Sequence, residues 1–149
     1  MQVPVVSLPD LDRFALVIVD VQRGFDDAGY WGPRNKAIVT GEPDLLVTKH
    51  VNSAFHGQPD LDAWLRARQL DGFVLSGITT NHCCETTARV GGNLGHQVLF
   101  ALDATHTFDR RAPDGSVVTA DELARVTASN LNGEFATVVG TAQLLGPAG

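Results

Sequence analysis

Cysteine is scarce in this 149-residue chain: there are two, Cys83 and Cys84, and they are neighbours. Adjacent cysteines cannot tie distant segments together and do not have the spacing of a zinc site, so neither a disulfide framework nor a cysteine-built metal centre holds the fold. Blocks of positive charge are also missing. The longest basic stretch is Arg110-Arg111 and the formal net charge is −6, which removes the electrostatic footprint that nucleic-acid binding requires. No apolar run approaches the roughly 20 residues of a membrane-spanning helix, and the first ten residues lack a cationic segment followed by an apolar one. These absences lead to the expectation of a cytoplasmic protein with neither a membrane nor a nucleic-acid partner. The five histidines (His50, His56, His82, His96, His106) are scattered, and none forms the i, i+4 pair of a metal-binding helix, so no metal or other cofactor is expected.

What the chain does contain is the composition of one ordinary globular domain, 44% hydrophobic and 19% charged, expected to span residues 1–149. Five apolar runs read as strands: Phe14 to Val19, Leu45 to Thr48, Phe73 to Ser76, Val98 to Leu102 and Phe135 to Val139. The first is apolar throughout, as in a parallel strand buried on both faces. Helical signals lie between them. Asp60 caps a helix whose Leu61, Trp64 and Leu65 share a face, a second helix is expected from about Cys83 to Leu94, and Thr119 with Glu122 forms a capping box for a third. Gly91-Gly92-Asn93-Leu94-Gly95 falls at a helix end, so it reads as close packing and a stop rather than a phosphate loop. The polar stretch from Thr105 to Val118 is the longest connection and a candidate pocket rim. Alternating strands and helices make the fold class α/β, a parallel sheet with helices on both faces.

In such sheets ligands bind beyond the carboxyl ends of the strands. Asp20 ends the first apolar run, Lys49 follows the second, and Cys83 follows the third after the turn Gly77 to His82. Taken singly, each has a plain structural reading: a turn aspartate, a solvated lysine, a small buried hydrophobe. Together they suggest chemistry. A cysteine in the first turn of a helix faces unpaired N–H groups and the positive end of the dipole, both favouring thiolate. Asp20 can then serve as general base, with Lys49 holding it ionised and oriented.

The blocks Phe14-Ala-Leu-Val-Ile-Val-Asp-Val-Gln-Arg-Gly-Phe25, Val47-Thr-Lys-His-Val-Asn-Ser-Ala-Phe55 and Ser76-Gly-Ile-Thr-Thr-Asn-His-Cys-Cys-Glu-Thr-Thr-Ala-Arg89 resemble the isochorismatase-like cysteine hydrolases, as does Gly95 to Thr105. The resemblance implies a three-layer Rossmann-like sheet and a triad of Asp20, Lys49 and Cys83 acting through a thioester. It also implies a cis peptide before Thr79, with the backbone N–H groups of Thr79 and Cys83 as the oxyanion hole. Family members that keep the cysteine hydrolyse C–N bonds of amides, ureides or carbamoyl compounds, whereas the isochorismatases that cleave a vinyl ether lack it. The metal-binding nicotinamidase-like branch uses an Asp-x-His pair, which does not occur here. A small-molecule substrate and a homo-oligomer, a dimer or tetramer, are implied. Phe25, Trp31, Phe55 and Phe108 are candidates for an apolar wall around a planar substrate, His82 beside the nucleophile is a further candidate substrate contact, and Cys84 reads as core. Vinyl-ether hydrolysis, or a degenerate family member that only binds a metabolite, are the alternatives.

One feature departs from the family. Only Val21 to Asp44 separates the first two apolar runs, where the family places a helix and a further strand, so a segment is missing or omitted near Asn35-Lys36.

Overall fold

The computed structural model describes residues 1, 3, 5–20 and 44–146; Phe25, Trp31 and the junction at Asn35-Lys36 lie outside the described residues. The first apolar run forms strand β1 (Phe14–Val19). Helix α1 (Leu61–Ala67) begins where Asp60 accepts a hydrogen bond from the Ala63 N–H at 3.0 Å, and it buries Leu61 and Leu65. It leads into β2 (Gly72–Ile78). A π-helical turn over Thr80–Cys84 precedes α2 (Glu85–Asn93), which returns the chain to β3 (Gln97–His106). The capping box forms: Thr119 Oγ1 accepts from the Glu122 N–H, Glu122 accepts from the Thr119 N–H at 2.8 Å, and α3 (Ala120–Leu131) follows. Strand β6 (Thr137–Val139) and a short helix α4 (Thr141–Leu145) complete the described chain.

Strands β1, β2, β3 and β6 pair in that order, all parallel, with Phe14 opposite Gly72, Phe73 opposite Val98 and Phe100 opposite Val138. Four consecutive residues of β3, Val98 to Ala101, are buried, and since successive side chains point to opposite faces, both faces of this strand are covered. The main core lies where Phe73, Leu75, Val98 and Phe100 meet Leu61 and Leu65 of α1, Ala88 of α2 and Leu131 of α3. Gly91 permits this packing, because a Cβ there would lie 2.6 Å from the Phe73 ring. The α/β expectation stands.

The structure corrects several details. Leu45 to Thr48 does not form a strand: its one pairing is an antiparallel bridge between Thr48 and Gln58. A strand needs a neighbour to hydrogen-bond along its length, and among the described residues Gln58, opposite Thr48, is the one recorded β-partner of this run. The last strand is shorter than expected because Phe135 and Ala136 are held in a turn, both donating to the Leu131 carbonyl at 3.0 Å. The second expected helix starts earlier, as the π turn. The long polar connection contains a hairpin of β4 (Arg110–Arg111) and β5 (Val117–Val118), closed around Asp114, whose carboxylate accepts from Ser116 N–H and Oγ–H.

Candidate active site

β1 and β2 pair in register up to Val19 opposite Gly77, so their carboxyl ends lie side by side. Gly77 has φ +127°, and a Cβ there would sit 2.1 Å from the Val19 carbonyl oxygen, so only glycine allows this approach. The next residue along β1, Asp20, also has a positive φ of 50°, a conformation that aspartate tolerates better than most residues.

Lys49 reaches the same point from the other side. Thr48 and Gln58 exchange two backbone hydrogen bonds of 2.8 Å, and the Ala54 N–H donates to Thr87 Oγ1 of α2 at 3.1 Å, so the Lys49 segment is anchored at both ends. Lys49 Nζ lies 2.6 Å from Asp20 Oδ2 and also donates to the Val51 carbonyl at 3.0 Å. The two side chains are 11% and 14% exposed, which shields the ion pair from solvent.

Cys83 enters on the π turn that follows the cis peptide Ile78-Thr79. Its thiol is within hydrogen-bonding distance of both Asp20 and Lys49, which closes a three-residue cluster. Burial, then the hydrogen bond to Asp20 and its negative charge, push the thiol up to about 11, against a weaker pull downwards from Lys49. This corrects the expectation of an intrinsically thiolate-favouring site: the helix start is present, but desolvation and the neighbouring carboxylate outweigh it. Cys84 is fully buried in the core, as expected, and burial raises its thiol pKa as well.

Thr79 caps the π turn, and its carbonyl accepts from the His82 and Cys84 N–H groups, each at 3.2 Å. His82, half-buried beside Cys83, is kept below its usual pKa by desolvation first and then by Arg110, with Glu85 opposing. Phe55 is elsewhere. Its ring packs on Phe73 and stacks on His96, 5.6 and 5.7 Å between centroids, near the amino ends of β2 and β3, so it belongs to the core and not to a substrate wall. A cavity of about 730 Å³ runs along β1 from Asp20 and Lys49 to Trp64 and Arg68; Cys83 does not line it, so it meets the cluster from the Asp20 side.

Four supporting contacts were not anticipated. Glu85 accepts from Arg89 at 2.8 Å and from Thr127 Oγ1 at 2.7 Å, tying α2 to α3 directly behind Cys83. Thr80 donates to Thr105 at 2.8 Å, and Thr107 to Asn81 at 2.5 Å, which fasten the π turn to β3 and the connection after it. Only the Glu85–Arg89 pair had a readable signal, its i, i+4 spacing. Among the described residues, no group of three or more His, Cys, Asp or Glu is placed to hold a metal ion, and no helix is long and apolar enough to cross a membrane.

The model of the isochorismatase domain matches residues 32–141, most of the chain. The chain belongs to the isochorismatase family of hydrolases. The uncharacterised isochorismatase family protein YrdC of Bacillus subtilis is 29% identical over 180 residues, covering 90% of this chain and 95% of that protein. That alignment is longer than the 149-residue chain, so it must open gaps in it. Nicotinamidase 3 of Arabidopsis thaliana is 38% identical over 101 residues, 68% of this chain and 44% of the enzyme. The crystal structure of a cysteine hydrolase from Pseudomonas syringae pv. phaseolicola superposes with a TM-score of 0.67 at 28% identity, covering 89% of this chain and 68% of the other. This isochorismatase-family chain thus spans nearly all of one relative and less than half of another.

Proposed function

We propose that this isochorismatase-family protein is a cysteine hydrolase that cleaves the C–N bond of a small amide, ureide or carbamoyl compound through a thioester on Cys83. The observation that carries the reading is the cluster of Asp20, Lys49 and Cys83, with the Lys49–Asp20 contact at 2.6 Å and the thiol close enough for both partners to act on its ionisation. The name of the nicotinamidase relative supports amide chemistry.

In this mechanism Asp20 accepts the thiol proton as Sγ bonds to the substrate carbonyl carbon, and the C=O π pair moves onto oxygen. N–H groups at the start of the helical segment, with Thr79 and Cys83 at the resemblance-implied positions, receive that charge. Collapse re-forms C=O and expels the amine, which takes the proton back from Asp20. Water then attacks the thioester, gives a proton to Asp20, and releases the acid and the restored thiol. Lys49 holds the Asp20 carboxylate in place until it takes the proton. His82 stands at the edge of this site as a candidate substrate contact, and the active form is a dimer or tetramer, to be checked by light scattering.

The test is ammonia release from a panel of small amides, ureides and carbamoyl compounds, combined with intact-mass detection of an acyl adduct. The expected result is turnover and an adduct in the parent, and neither in Cys83→Ala. Turnover that survives Cys83→Ala would overturn the thioester reading, and a parent inert to the whole panel would remove the amidase assignment.

A further inference from the structure

We propose that the cluster acts on the carboxamide at the end of an extended peptide, held as an added strand along the outer edge of β1. The proposal rests on the cysteine-hydrolase reading and names a substrate class for it. Among the described residues β1 is the end strand of its sheet, paired with β2 on one side and with no strand on the other. The cavity of about 730 Å³ follows that outer side and is lined by every residue from Phe14 to Asp20. Successive side chains of a strand point to opposite faces, so a cavity over one face would meet every second residue. A cavity that meets all of them lies against the edge, where outward N–H and C=O groups are open to another chain. An aliphatic ligand would leave those groups covered and without partners, whereas an extended peptide bonds them.

The remaining walls suit such a chain. Leu45 and Val47 line the cavity with Leu61, Trp64 and Leu70, an apolar surface for alternate side chains of the peptide. Arg13 donates to the Gln69 carbonyl at 3.3 Å, which puts the cavity residues Arg68 and Leu70 beside the amino end of β1, with Asp20 and Lys49 at its carboxyl end. The cavity therefore runs the length of the strand, about 20 Å for six residues. Every pairing in this sheet is parallel, and a peptide added in the same sense carries its own carboxyl end to Asp20 and Lys49. The lining stops at that pair, so the group delivered is a chain end, and a terminal carboxamide is the chain end that has a C–N bond to hydrolyse. Sγ of Cys83 adds to the carboxamide carbon, and the nitrogen leaves as ammonia with the proton that Asp20 took from the thiol. Water then displaces Sγ, giving the peptide acid and the restored thiol.

The test measures ammonia release from acetyl-Val-NH2, acetyl-Val-Thr-Val-NH2 and acetyl-Val-Thr-Val-Thr-Val-NH2. From the first to the last, kcat/KM should rise about 10- to 100-fold, since each added backbone hydrogen bond contributes about two- to tenfold. The place of binding is read separately, by amide hydrogen exchange of Cys83→Ala with the five-residue amide, which this variant holds without cleaving. At about ten times the Kd, exchange of the outward amides between Ala15 and Val19 should slow about tenfold. If Cys83→Ala does not fold, Cys83→Ser takes its place under the same criteria. A kcat/KM that stays within about twofold across the three lengths overturns the proposal and leaves the cysteine reading standing. A gain with length but unchanged exchange in β1 puts the peptide elsewhere and also overturns it. Release from the small-amide panel but from none of the three peptides overturns the peptide proposal alone, and release from neither set overturns both readings.

Discussion

Replacing Asp20 with Asn separates the resting chemistry of Cys83 from its catalytic chemistry, because the two should move in opposite directions. The thiol stands at about 11 against an ordinary 9.0, raised by burial and then by Asp20. Alkylation follows the thiolate fraction. At pH 8 a pKa of 9.0 leaves about one thiol in ten ionised and a pKa of 11 about one in a thousand, so the parent should react with iodoacetamide roughly 100-fold more slowly than a simple thiol. Its rate should still be rising at pH 10. Asp20→Asn removes both the charge and the anionic hydrogen-bond acceptor, while burial and Lys49 remain. Its profile should therefore shift to lower pH, with alkylation at pH 8 faster by about tenfold, while hydrolysis falls because the proton acceptor is gone. Lys49→Met should shift the profile the other way. The assay is the pseudo-first-order alkylation rate from pH 6 to 11, read by intact mass. A parent inflection below pH 8, or slower alkylation in Asp20→Asn, would refute this account.

Other substitutions probe the frame around the site. Gly77→Ala should leave the chain largely unfolded or insoluble, since its Cβ would lie 2.1 Å from a backbone oxygen at φ +127°; a Tm within 2 °C of the parent, about 1 kcal/mol or less at this chain length, would contradict the packing. Glu85→Gln should cost about 1–3 kcal/mol by weakening the bonds from Arg89 and Thr127, seen as a Tm lower by roughly 3–10 °C. Asp62 is held below its usual pKa chiefly by Arg66 and then by His96. With a folded value below the unfolded one, its contribution is present above about pH 4 and is lost as pH falls through the folded value. Being largely solvent-screened it should amount to under about 1 kcal/mol, so urea midpoints of parent and Asp62→Asn should differ at pH 7 and converge near pH 2.

The elements that were legible in the sequence are those fixed by nearby residues. Asp60 caps α1, Thr119 and Glu122 box α3, and the uninterrupted apolar run makes β1; each signal lies within a few residues of its effect. Leu45 to Thr48 has the same apolar character and failed as a strand because pairing depends on a remote partner that composition does not specify. The hairpin β4–β5 did carry a signal, Pro113-Asp114-Gly115 between Arg110-Arg111 and Val117-Val118, a turn sequence flanked by extended residues. At the site, positions after strand ends located Asp20, Lys49 and Cys83, but the state of the thiol was not legible. A helix start can be read from neighbouring residues, whereas burial and the approach of Asp20, 63 positions earlier in the chain, cannot.

A high thiol pKa looks incompatible with a nucleophile, and the charge balance of the cluster resolves the conflict. The value of about 11 describes loss of the proton to bulk water, which would leave a buried group of Lys49, Asp20 and Cys83 with one more negative charge. Transfer from Cys83 to Asp20 leaves the total unchanged: a lysine–carboxylate pair becomes a lysine–thiolate pair. The desolvation that opposes the first process largely cancels in the second, because one buried anion replaces another. Lys49 contacts Asp20 and already pulls on the thiol's ionisation, so it can serve either anion. On this reasoning the cluster keeps the thiol protonated and protected until a carbonyl is positioned to capture the anion as it forms. The hydrolytic pH profile should then follow the cluster as a whole and show no rise that tracks the alkylation curve towards pH 11.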